Sequence, residues 1–219
     1  MVRARTTRRQ RPLGTGWGVR TAATVVLIFL ALPLVVLIGS SFNASSLVRF
    51  PPQGWSLRWY ASVLSSHDWV VSINLSIVVA LMVVPTVVIL GTLAAYGLFR
   101  GKQRGFLTAA FMSPLVVPEV MVGLGLLTYL QPTGLINSVA GLWLAHSLVT
   151  LPFVIRTVST SVQGLDPSLE RAAQSLGAGP FRVFTSVILP QLRPGIIAGG
   201  VFAAVLSLGE VAVSMFVSG

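Results

Sequence analysis

The chain has 219 residues, of which 54% are hydrophobic and only 9% charged, with a mean hydropathy of +0.86 and a net charge of +10. Soluble domains carry about 25% charged residues, so this composition excludes a soluble globular protein and leaves no room for a separate soluble domain beside a set of membrane spans. The absence of cysteine excludes disulfides, thiol catalysis and cysteine-ligated metals.

The first nineteen residues form a basic tail carrying Arg3, Arg5, Arg8, Arg9 and Arg11, and Arg20 abuts the apolar run that follows. Span one is expected over residues 20–41, with Pro33 as a kink. Its apolar run, Thr21 to Ile38, is longer than a signal-peptide core and reads as a retained span. An outer loop, 42–68, is rich in Pro, Trp and Tyr, the residues that rest at a membrane interface. Span two is expected over 70–99 with Pro85 inside it, and a basic turn, Arg100 to Gly105, closes it. Span three is expected over 106–130 and contains Pro114, Pro118 and Glu119. A short uncharged turn leads to span four, 135–155. A long polar segment, 156–193, precedes span five, 194–217, whose Gly195, Gly199, Gly200, Ala203 and Ala204 suit close helix approach.

Thirteen of the fifteen Lys and Arg residues fall on one side of this five-span scheme, leaving Arg49 and Arg58 on the other. That asymmetry sets topology by the positive-inside rule and places the amino terminus in the cytoplasm. The basic tail is therefore read as an anchor of orientation and not as a nucleic-acid patch.

Within the polar segment, Asp166 is a good N-cap, Pro167 suits the first helical position and Glu170 lies in the first turn. Leu169, Ala172, Ala173 and Leu176 recur on one helical face. Gly177 can end the helix in the left-handed conformation. Pro180 starts a second helix, with Phe181, Phe184, Val187 and Ile188 as its apolar stripe, and Pro190 is expected to break it. Two readings fit this pair of short helices: a passive amphipathic hairpin on the membrane surface, or a docking surface for a partner. The small pair Ala172 and Ala173 favours docking, because a lipid anchor carries larger side chains there.

This hairpin resembles the EAA loop of binding-protein-dependent ABC importer permeases. Ala172, Ala173 and Gly177 match that pattern, and Leu189-Pro190 falls at the required distance with Val187 in the place of its Ile. The departure is Arg171 where the pattern has Glu, with Glu170 one residue earlier. The resemblance extends to Ser41-Phe42-Asn43, Phe50-Pro51, Gly54, Ser56, Arg58-Trp59-Tyr60, Ala94-Ala95-Tyr96, Arg100, Gly105, Pro114, Pro118 and Gly123, which are similar to the spermidine/putrescine-type permeases. It implies an all-α polytopic bundle in which residues 20–219 are the transmembrane domain and 156–193 the cytoplasmic coupling loop. It implies an inner-membrane subunit in bacteria that pairs with a second permease, two ATP-binding cassette subunits and an extracytoplasmic solute-binding protein. Glu170, Arg171, Ala172, Ala173, Leu176, Gly177, Leu189 and Pro190 would then couple to the ATPase. These permeases carry one span more than the five read here, so the chain is either a shortened copy or a five-span variant.

Two carboxylates fall within spans. Glu119 and Glu210 each lie about 20 Å from the inner boundary, given a rise of about 1.5 Å per residue. Neither has a Lys or Arg within a span for a partner. An acid at that depth normally faces a bundle interior or a wet cavity. The two can line a path for a cation, or can each be protonated or satisfied by backbone beside the flanking Pro or Gly. Ser207-Leu208-Gly209-Glu210 also resembles a motif of permeases for anions and iron. His146, in span four, and Asn74, in span two, read as helix–helix hydrogen-bonding groups, and His67 with Asp68 as a solvated loop pair. Gly97-x-x-x-Gly101-Lys102 is one residue short of a phosphate-binding loop and lacks its Ser or Thr. No catalytic motif or acidic metal cluster occurs, so ATP hydrolysis is left to a partner and neither cofactor nor metal is implied. The expected function is a permease subunit importing a polyamine, with phosphonate, iron(III) and other anions as alternative cargoes. A non-transporting scaffold or passive channel is the rival class.

Overall fold

The computed structural model describes residues 16–46, 50–101 and 104–218. The arginines of the tail up to Arg11, together with Arg49 and Lys102, lie outside the described residues. The chain divides into two compact units at Val70 and Val71.

The first unit contains helix α1 (Trp17–Ser41) and helix α2 (Arg58–Ser65). α1 is apolar on every side, as a membrane span is, and Leu27, Phe29 and Leu37 along it are exposed. Pro33 lies inside it. The loop after α1 is ordered by the side chain of Asn43, which is almost wholly buried. Its Oδ1 accepts from the backbone N–H groups of Ser45 and Gln53 at 3.1 and 3.3 Å. Its carbonyl accepts from the Trp59 indole at 3.1 Å, which fastens α2 to the end of α1.

The second unit is built on three long helices, α3 (His67–Arg100, which begins just before the boundary), α6 (Val139–Gln163) and α9 (Leu189–Gly209). α6 is the central one. Val154, Ile155, Val158 and Val162 on α6 are buried, as are Val79, Val83 and Val87 on α3 and Leu192 and Ala203 on α9. Close approach depends on glycine. A Cβ at Gly91 would stand 2.7 Å from Val154 Cγ1, and one at Gly195 would stand 2.5 Å from Ser161 Oγ and 3.1 Å from the Val158 Cα. Gly195 and Gly199 of span five thus serve packing against α6, and Gly200 faces Val84 and Val88 of α3. The Trp143 indole also donates to Thr86 Oγ1 at 3.1 Å, joining α6 to α3.

Span three is not one helix. α4 (Arg104–Met112) continues as a 3₁₀ turn to Leu115, α5 (Glu119–Leu130) follows, and the two halves are bent by 97°. Pro114 and Pro118 lack N–H donors, and a residue before proline is biased away from the helical region, so two prolines four residues apart favour the break seen between Leu115 and Glu119. Span five is also interrupted, but not where its prolines suggested. A π-helical turn, Phe184–Ile188, joins α8 (Pro180–Val183) to α9, so that Pro180–Gly209 is a single apolar stretch of 30 residues. The expected break at Pro190 is absent: Pro190 sits in the first turn of α9, where its missing N–H is tolerated. The chain instead leaves helical geometry at Glu210 (φ −77°, ψ 98°) before the short helix α10 (Ser214–Val217).

α6 also runs to Gln163, past Arg156, where the polar loop was expected to begin. Among the described residues four helices are long and apolar enough to cross a membrane, and the bent pair makes up to five. The architecture is an all-α polytopic membrane bundle, and no β-strand occurs among the described residues beyond one isolated bridge.

Candidate functional site

The hairpin after α6 is shaped by local sequence. Asp166 takes an extended conformation and its carboxylate accepts from Ser168 N–H at 2.8 Å, capping helix α7 (Pro167–Ser175). Hydrogen bonds from the Ser168 backbone and side chain hold the Asp166 carboxyl below the usual carboxylate range. At the far end Gly177 adopts φ +81°. Ala178 N–H donates to the Ala173 carbonyl at 3.1 Å and Gly177 N–H to that of Gln174 at 2.9 Å, the paired bonds of a Schellman stop.

The face read as one apolar stripe divides in two. Ala173 is half-buried and packs on the core of the second unit, together with Ala178 and Phe184. Leu169, Ala172 and Leu176 face outward, Leu176 being 89% exposed, and Phe181 joins them at 80%. Arg171 and Arg182 are exposed as well. Leu189 and Pro190 are half-buried where the hairpin enters α9. The hairpin therefore presents large apolar side chains and two arginines outward, while smaller and aromatic groups seat it on the bundle.

Glu170 turns away from that outward face. Arg100 Nη2, at the end of α3, donates to Glu170 Oε2 in an ion pair, and Gln174 Nε2 donates to Glu170 Oε1 at 3.2 Å. The Arg100 guanidinium also lies 4.7 Å above the Tyr96 ring, whose centroid is 5.2 Å from that of Phe184. Sequence reasoning used Arg100 as a marker of topology and as part of the family resemblance, not as a partner of Glu170. A basic residue followed seventy positions later by an acidic one carries no signal of pairing until the fold supplies it.

The two span carboxylates mark the two helix breaks. Glu119 is the first residue of α5 and is exposed, and Glu210 is the half-buried cap of α9. Glu210 Oε1 accepts from Val213 N–H at 2.9 Å. α5 packs on α10 so closely that a Cβ at Gly123 would lie 2.4 Å from Phe216 Cδ2. The far ends of both short helices meet the same turn: Leu135 N–H donates to the Leu130 carbonyl at 3.3 Å, and Asn137 N–H to that of Val217 at 2.8 Å. The two half-helices thus run side by side, each with its carboxylate at the end away from that turn.

His146, buried on α6, spans the second break. Its Nδ1 lies 3.0 Å from Ser207 Oγ on α9 and its Nε2 2.9 Å from Ser214 Oγ on α10. Ser214 Oγ spends its proton on the Glu210 carbonyl at 2.6 Å, so it accepts from Nε2–H, and Ser207 Oγ donates to Nδ1. The imidazole acts as a helix–helix hydrogen-bonding group, as its position in the sequence suggested. A cavity of about 210 Å³ beside it is lined by Ser72, Ser76, His146, Ser207, Glu210 and Ser214, among others. Among the described residues no group of His, Asp and Glu could hold a metal ion.

Residues 58–219 match the family described as the inner-membrane component of binding-protein-dependent transport systems. The putrescine transport system permease protein PotI of Escherichia coli K12 is 38% identical over 202 residues, covering 87% of this chain and 71% of that protein. The spermidine/putrescine transport system permease protein PotC of the same organism is 30% identical over 200 residues, covering 90% and 75%. The molybdenum transport system permease protein ModB of Haemophilus influenzae is 33% identical over 155 residues, covering 64% and 67%. With most of its length matched, the chain belongs to the inner-membrane components of binding-protein-dependent transport systems: it is a multi-pass permease subunit of an ABC importer, similar to the polyamine permeases, and not an enzyme.

Proposed function

We propose that this subunit lines the path of a polyamine such as putrescine and is driven through its 165–190 hairpin by cytoplasmic ATPase subunits. The observation that carries the cargo is the pair of carboxylates at the two helix breaks, Glu119 and Glu210, on half-helices that lie side by side. Discontinuous helices with polar groups at the breaks are a recurring way to build a binding site inside a membrane. Among the described residues neither acid is ion-paired, which favours a cation over an oxyanion. The names of the relatives, a putrescine and a spermidine/putrescine permease, point the same way.

In this reading the tail and hairpin are cytoplasmic, and residues 20–219 form the membrane domain with its coupling segment between α6 and α9. A second permease, two ATP-binding cassette subunits and an extracytoplasmic binding protein complete the importer. Leu169, Ala172, Leu176 and Phe181 enter an apolar cleft of the ATPase, and Arg171 and Arg182 meet its acidic groups. Gly177 sets the corner, Ala173 and Glu170 seat α7 on the bundle, and Leu189 and Pro190 lead into α9. ATP binding shifts the bundle between outward and inward access because the two states bind ligand and nucleotide with different affinities.

The test is uptake of labelled putrescine by the reconstituted importer carrying Glu119→Gln or Glu210→Gln. Glutamine at 210 keeps an acceptor for Val213 N–H, so a loss there reports charge and not the cap. Each substitution is expected to lower uptake about tenfold, the equivalent of one charge-assisted hydrogen bond of roughly 1.5 kcal/mol, with the ATPase still bound. Undiminished putrescine uptake in both variants refutes the cation path.

A further inference from the structure

We propose that Arg100 and Tyr96 are positioning residues that carry the movement of the hairpin directly into α3. The proposal rests on the coupling reading above and extends it to a helix that the chain does not join to the hairpin. α7 lies between Gly164 and Gly177, with Gly179 beyond, and such joints transmit displacement poorly by themselves. Side-chain contacts must therefore fix where α7 sits. They converge on one turn of α3. The first arm of the hairpin reaches it through Glu170, paired with Arg100 and steadied by Gln174. The second arm reaches it through Phe184, in the π turn, whose ring meets Tyr96. Arg100 closes the set by stacking over the same Tyr96 ring.

The cluster surrounds a small cavity of about 170 Å³ whose lining comes from α3, from α7 with its cap, and from the π turn and α9. α3 then has two inputs from the hairpin, one electrostatic and one aromatic, and a shift of α7 must either drag the end of α3 or break both. A guanidinium is suited to this place because one planar group can pair with a carboxylate and stack on a ring together. Arg171, the departure from the family pattern, is left outward and takes no part.

The absence of native cysteine allows a readout that needs no cargo. Gly97 is exposed and open, one residue beyond Tyr96 on α3, so Gly97→Cys adds a thiol without a clash. In the assembled importer, the rate of maleimide labelling of that thiol is compared with and without ATP. The clasp requires the rate to depend on nucleotide. Arg100→Gln and Tyr96→Leu are each expected to shrink the nucleotide-dependent difference about two- to fivefold, the scale of an exposed ion pair or a ring contact. The exchange Arg100→Glu with Glu170→Arg is expected to recover more than half of what Arg100→Gln loses. A labelling rate indifferent to ATP overturns the clasp, as does a full nucleotide response in both single variants or an exchange no better than either of its component substitutions. Failure of the coupling reading looks different: the unmodified permease would then purify without its ATPase.

Discussion

His146 has both ring nitrogens engaged by serines on opposite sides of the break between α9 and α10, at 3.0 and 2.9 Å. With the Ser214 hydroxyl donating to the Glu210 backbone carbonyl, Nε2–H is the donor to Ser214, which links the ring to the backbone at the break. Replacing it with phenylalanine keeps the bulk but removes both partners, leaving Ser207 to find an acceptor within its own helix. His146→Phe is expected to cost about 1–3 kcal/mol, the penalty of unmade buried hydrogen bonds, read as a lower temperature of half-inactivation of the purified importer. Asparagine should recover part of the loss, because its amide donates and accepts. Equal stability of the wild type and His146→Phe would show that the serines alone set the break. The sequence disclosed that an isolated histidine in a span bonds to a neighbouring helix, but not which one. Two serines seven residues apart on an interrupted helix become its partners only through packing.

At the scale of the element, the hairpin shows what each small residue is for. Gly177 stands at φ +81°, where a branched side chain is strained whatever space surrounds it. Gly177→Val is expected to lose about 1–2 kcal/mol of local stability and to detach the permease from its ATPase while leaving it in the membrane. Co-purification of the two decides it. Ala172 and Ala173 separate in this assay despite being neighbours. Ala172 is exposed and Ala173 packs on the core of the second unit. Ala172→Trp should weaken ATPase binding with the bundle intact, whereas Ala173→Trp should unseat α7 itself and raise its susceptibility to protease. The same logic applies to α9. At Gly195 an added methyl meets Ser161 Oγ at 2.5 Å and the Val158 backbone at 3.1 Å, so Gly195→Ala is expected to cost about 1–3 kcal/mol by overpacking. Thermal aggregation of the detergent-solubilised protein would register it, and an unchanged transition would mean that α6 and α9 can part freely.

Across the whole molecule, the broken elements and the continuous ones divide the work. α3, α6 and α9 form a valine-rich core closed by glycine contacts, while α5 and α10 are short helices that begin beside carboxylates. Rigid helices move as bodies, and polar groups sit where the backbone is interrupted and bonded within the protein, as a membrane requires. The hairpin is seated against both α3 and α9, so force arriving there is delivered to two of the three core helices at once.

Composition and periodicity by themselves determined that this chain spans a membrane, where it is polar, and how the hairpin begins and turns. Those properties depend on local chemistry: an apolar run of helical length, an N-cap at Asp166, a left-handed glycine at 177. Proline content was a less reliable guide, since Pro118 stands at a break, as the N-cap of α5, and Pro190 does not, the π turn before Pro190 absorbing the mismatch. Only the tertiary structure decided that Glu170 belongs to Arg100, that His146 bridges a break, and that Glu119 and Glu210 stand on paired half-helices. Each of these joins residues that are distant in sequence, and their meeting is fixed by which helix faces pack together, something no local pattern encodes.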